Sequence, residues 1–114
     1  MTQGDQIELY EKKIQEFQKV VEHRDKMRKL TANKLFKELI LEEFCVNECA
    51  RYVRTSVNPR LDADSRANAL HIAQSTGHLR MYLEAIEQMG NQAEQEIVKY
   101  TAAIDELRSE PQES

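Results

Sequence analysis

The sequence predicts an all-α protein, an antiparallel helical hairpin or a four-helix-bundle-like fold, completed by oligomerisation. Three observations carry that expectation. Only three Gly and two Pro occur in 114 residues, with no Pro before position 59, whereas strand-rich folds need frequent turn residues. Apolar residues recur at alternating spacings of three and four, the period of a helix that packs on another helix. The composition, 40% apolar but 32% charged and without Trp, suits slender, well-solvated helices better than a compact α/β core.

A chain of this size forms one domain. The expected boundaries are residues 1–109 for the helical domain, with a first arm over about 5–56, a turn over about 57–62 and a second arm over about 63–109. Residues 110–114 read as a disordered tail.

At the start, Asp5 with Glu8 three residues later reads as a capping box. Ile7, Tyr10, Ile14, Phe17 and Val21 then form an a/d seam, which breaks where Arg24, Arg28 and Thr31 take the next seam positions. The seam resumes in another phase at Leu35, Leu39, Val46, Cys49 and Val53. A second apolar row, Phe36, Ile40 and Phe44, makes a stripe too wide for one partner helix.

Asn58-Pro59-Arg60 is the clearest interruption, because Asn and Pro suit a turn and Pro disfavours helix in the residue before it. Asp62 or Asp64 can cap the next helix. From Ala69 through Ile72, Thr76, Leu79, Leu83, Ile86, Gly90, Ala93, Ile97, Tyr100 and Ile104 to Leu107 one heptad register holds without a slip. Gly90-Asn91 with Glu94 also reads as a C-cap followed by a capping box. Two architectures are therefore open: two long arms, or four helices with breaks near Thr31 and Gly90.

Charge and side-chain size favour an antiparallel pairing. The basic run Lys19, Arg24, Lys26, Arg28, Lys29, Lys34 and Lys37 would face Glu84, Glu87, Glu94 and Glu96, and Lys12 and Lys13 would face Asp105 and Glu106. The small-residue strip Ala69, Ala73 and Gly77 would receive Leu41, Phe44, Cys45 and Cys49.

The formal net charge of −4 argues against a nucleic-acid or membrane-surface partner. No apolar run reaches the roughly 20 residues that span a bilayer, and the N-terminal residues lack the features of a signal peptide. A soluble, cytoplasmic protein is expected. Cys45 and Cys49, one turn apart, read as small reduced core residues, since structural zinc needs four ligands. His71 and His78 are too far apart along a helix to complete such a site. No cofactor or metal is expected.

The sequence therefore predicts a non-catalytic, oligomeric protein–protein interaction module (an adaptor, chaperone or small regulator) whose partners are its own copies and another protein. Phe36, Ile40, Phe44, Leu83 and Ile86 are the expected interface residues.

Two alternatives come from other classes. Arg66-Ala-Asn-Ala-Leu-His71 is an Arg, four residues, then His, and resembles the signature of HEPN-type ribonucleases. The resemblance implies a metal-independent ribonuclease in which Arg66 holds the scissile phosphate and His71 does acid–base work at a dimer seam. Near the turn, Arg51, Arg54, Arg60, Ser65 and Arg66 offer forked donors beside a helix N-terminus, a setting for a phosphate-bearing ligand. Ser65-Arg66, Ala69-Leu70 and Ala85-Ile86 faintly resemble the hairpin of phage proteins that sequester cyclic nucleotides. That resemblance implies a sequestered cyclic nucleotide and supplies no site residues; the chemistry of the turn itself makes Arg54, Arg60, Ser65 and Arg66 the candidate ligand-binding residues.

Overall fold

The computed structural model describes residues 2–111, all of whose regular elements are helical. Helix α1 runs Gln3–Ala32 and α2 is the short turn Lys34–Phe36. A π-helical segment, Lys37–Glu48, leads into α3, Cys49–Ser56, and α4 runs unbroken over Ala63–Ser109. No described helix is long and apolar enough to cross a membrane. By its internal contacts the chain divides into two compact units, one of Met1–Lys26 with Ile86–Ser114, the other of Met27–Ala85.

Helix α1 is capped one turn earlier than the sequence suggests. The Asp5 backbone N–H donates to the Thr2 hydroxyl at 3.1 Å, and the Thr2 N–H donates back to the Asp5 carboxylate at 3.2 Å. The reciprocal box is thus Thr2 with Asp5, not Asp5 with Glu8, because Thr2 supplies both a short side-chain acceptor and a free N–H.

In the first unit the seam residues Ile7, Tyr10, Ile14, Phe17 and Val21 are half-buried, and Ile86, Ala93 and Ile104 are buried. The Tyr10 and Tyr100 rings lie 5.3 Å apart, and Phe17 stacks on Tyr100 at 6.1 Å. Antiparallel contacts tie the ends: Gln3 Nε2 donates to the Leu107 carbonyl, and Arg108 donates to Glu11 at 3.1 Å. Lys13 does not reach across to Asp105 or Glu106; it pairs with Glu16 on its own helix at 3.8 Å. Exposed pairs of this kind contribute about 0–1 kcal/mol each, so packing outweighs them.

In the second unit the expected break near Thr31 falls at Asn33. Its backbone is extended (φ −67°, ψ 128°) and its side chain accepts from the Phe36 N–H at 3.1 Å, which starts a new helix. Of the two alternatives open at Gly90, the continuous helix is the one found: α4 runs through it, and the break of the four-helix alternative is absent there. The turn after α3 is built as its residues suggest. The Asn58 side chain accepts from Arg60 N–H at 3.0 Å, and Asp62 caps α4 by accepting from Ser65 N–H at 2.7 Å. Ser109 ends α4, and residues 112–114 of the expected tail lie outside the described residues.

The π-helical segment changes which apolar row faces inward. Its wider turn, closed by bonds such as Cys49 N–H to the Phe44 carbonyl, carries more residues per turn than an α-helix. Phe36, Ile40, Leu41, Phe44 and Cys49 are half-buried and Cys45 is buried. Their spacing of four to five keeps them on one side of such a helix, whereas an α-helix would wind the same row around its axis. Of the seam read from the sequence only Cys49 is half-buried: Leu35 is 65% and Leu39 56% exposed, Val46 52% and Val53 47%.

The small-residue strip is also shifted. Ala69 and Ala73 are buried, and Cys49 Sγ donates to the Ala73 carbonyl at 3.6 Å. Thr76, not Gly77, is the next buried member, its hydroxyl turned back onto the Ala73 carbonyl at 2.8 Å. Gly77 is exposed, and a Cβ there would meet nothing.

Candidate functional site

Two features concentrate unusual chemistry: a buried arginine in the first unit and a set of wet apolar side chains in the second. Arg24 occupies an a/d position of α1 and is 2% exposed. Its aliphatic stem lies over Gly90, where any Cβ would overlap the Arg24 Cβ, Cγ and Cδ. The guanidinium donates to the Asn91 side chain at 2.8 Å, to Asp25 at 3.0 and 3.2 Å, and to Glu94. Glu94, then Asp25, raise the Arg24 pKa still further, so the group stays charged. A buried guanidinium needs acceptors for its N–H groups, and Asn91, Asp25 and Glu94 take four of its five. It ties the two helices of that unit together at this layer.

The sequence carried a signal for this arrangement. Arg24 interrupts one seam and Gly90 thins the other, which makes a matched large-against-small layer once the arms run antiparallel. Read separately, the two residues look like a seam break and a helix end.

The arginines near the turn do not form one free cluster. Arg51 is bound to Glu48 at 2.7 and 3.0 Å and lies 4.4 Å over the Tyr52 ring. That pairing lowers the Glu48 pKa and raises that of Arg51. Arg54, Arg60 and Ser65 are exposed. Asp62 already occupies the N-terminus of α4, and the Ser65 backbone N–H holds its carboxyl below the ordinary range. An anion arriving there would meet a carboxylate in its place. Arg66 is half-buried, and its Nε is buried without a hydrogen-bond partner among the described residues.

His71 is exposed and stands five residues from Arg66 on α4. Side chains at that spacing do not share a helix face. The chain itself therefore does not bring the pair together. His78 is exposed, Cys45 is buried and Cys49 half-buried as free thiols. No group of three or more His, Cys, Asp or Glu among the described residues is placed to hold a metal ion. A surface groove of about 390 Å³ in the first unit is lined by Phe17, Val20, Met89, Gln92, Ala93, Gln95 and Glu96. Glu96 is the one ionisable side chain in its wall, and no His, Cys or second carboxylate stands beside it there.

What distinguishes the second unit is where its large apolar residues sit. Its buried residues are Met27, Cys45, Ala69, Ala73 and Thr76, mostly small, while Leu30, Val57, Leu70, Met81 and Tyr82 join Leu35, Leu39, Val46 and Val53 in solvent. Of the expected interface residues, Phe36, Ile40, Phe44 and Leu83 are half-buried. Ile86 is 8% exposed, so its side chain belongs to the core and offers no surface. Comparison of the chain with protein-family models, curated proteins and solved structures gives no match.

Proposed function

We propose that this protein is a non-catalytic helical interaction module. In this reading its paired helices are completed by association with further copies of itself and used to engage another protein. The observation that carries the reading lies in residues 27–85, where the fully buried side chains are mostly small and nine large apolar ones are 44–73% exposed. Isolated wet apolar residues are ordinary, but a set spread along one short unit marks a surface that another protein covers. Half-buried Phe36, Ile40 and Phe44 border that surface and would be covered with it.

Sedimentation or native mass spectrometry at tens of micromolar tests the proposal. A dimer or larger assembly is expected, and a stable monomer would overturn it.

A ligand-sequestering reading keeps one specific observation in its favour, the buried and unpartnered Arg66 Nε. It requires a phosphate-bearing ligand such as a cyclic nucleotide to raise the melting temperature, by the linkage of binding to folding. No shift at millimolar ligand would remove it.

A further inference from the structure

We propose that residues 34–57 form a twofold interface with a second copy of the chain, assembled when the π-helical segment rewinds with the α-helical period. The proposal rests on the interaction reading above and names its face, register and first partner. The exposed residues Leu35, Leu39, Val46, Val53 and Val57 follow one another at intervals of four, seven, seven and four. That series is symmetric about Val46. A pair of antiparallel copies related by a twofold axis at Val46 therefore sets Leu35 against Val57, Leu39 against Val53, and Val46 against itself. Self-complementarity of this kind is what an isologous interface demands. The same operation sets exposed Glu38 of one copy opposite exposed Arg54 of the other, so charge agrees with the apolar register.

The period decides when this face exists. In an α-helix, residues seven apart return to within about 20° of the same direction, so Leu39, Val46 and Val53 align. In the π-helical form the same seven residues fall well short of two turns. Leu35 and Leu39 then lie on one flank of the inward row, and Val46 and Val53 on the other. Rewinding exchanges each bond to the carbonyl five residues back for one to the carbonyl four back, so the backbone remains satisfied. Extended π-helix is rare, which makes Lys37–Glu48 the segment where a change of winding is least opposed. The free chain holds the inward row Phe36, Ile40, Cys45 and Cys49, and the second copy draws out the outward heptad.

Oxidative crosslinking tests the register in a Cys45→Ala/Cys49→Ala background whose helicity is checked first. Val46→Cys should crosslink to its own copy. Leu39→Cys and Val53→Cys should crosslink when mixed and not when alone, and Met81→Cys should remain monomeric. A Val46 crosslink without the mixed Leu39–Val53 product would overturn the proposal, since only one flank would then touch. An oligomer that crosslinks only through Met81 would overturn this interface while leaving the interaction reading in place, and a monomer would overturn both. In the chain with its native cysteines, Glu38→Arg or Arg54→Glu alone should weaken the dimer about tenfold, and the double variant should restore it. Unchanged association in both single variants would count against the register.

Discussion

At the scale of the residue, the two glycines of α4 act in opposite ways. Gly90 is a space that Arg24 fills, whereas Gly77 faces open solvent. Gly90→Ala forces the Arg24 stem away from α4 and should cost about 1–3 kcal/mol, in the range of overpacked cores. Gly77→Ala meets nothing and removes a poor helix former, so it should stabilise by about 0.5–1 kcal/mol. Thermal unfolding followed by circular dichroism separates them: a fall for the first, a rise of several degrees for the second. Sequence reasoning misjudged Gly77, because spacing alone placed it in a small-residue strip, and it left Gly90 open between a seam position and a helix end. What decided the matter was a long-range neighbour, Arg24, sixty-six positions away in the chain.

At the scale of the element, the ends of helices were easier to read than their phase. Asn58-Pro59 and Asp62 mark the turn because their chemistry is local, and Asn58 and Asp62 accept the backbone donors their types suggest. The Asn33 break came two residues after Thr31, since Asn caps better and leaves α1 one more half-turn. The π-helical winding was not legible, because a heptad template assumes the very period that the segment abandons.

Acid should act first on these elements. Asp62 and Glu48 both have folded pKa values below their ordinary ones, lowered by the Ser65 N–H and by Arg51 respectively. Their contributions are therefore complete above about pH 5 and are lost as pH falls through the folded values. Amide protection at the start of α4, taken relative to the intrinsic exchange rate at each pH, should fall as Asp62 protonates. Asp62→Asn should keep the cap and remove that site's pH dependence, and an unchanged acid response in this variant would exclude Asp62 as its source.

At the scale of the whole molecule, the all-helical class was plain in the sequence, from the scarcity of Gly and Pro and the length of the heptad register in α4. Within the first unit the antiparallel register was legible too, since Tyr10 and Phe17 meet Tyr100 and Arg24 meets Glu94. The aromatic cluster should matter more than the ion pairs around it. Tyr100→Ala, which removes both ring contacts, should cost about 2 kcal/mol. Arg108→Ala, which removes an exposed pair with Glu11, should cost about 0.5 kcal/mol or less. Urea unfolding of the two variants ranks them, and comparable losses would mean that the ion pair had been undervalued.

The layer formed by Arg24 and Gly90 has a historical consequence. Any side chain at position 90 requires a shorter one at position 24, while shortening position 24 first leaves a void beside the glycine and takes a donor from Asn91 and Glu94. Either substitution destabilises as the earlier step, and their costs do not add. The two positions are therefore epistatic. A lineage carrying this layer must cross a less stable ancestor to replace it, and relatives that have done so should differ at both positions together.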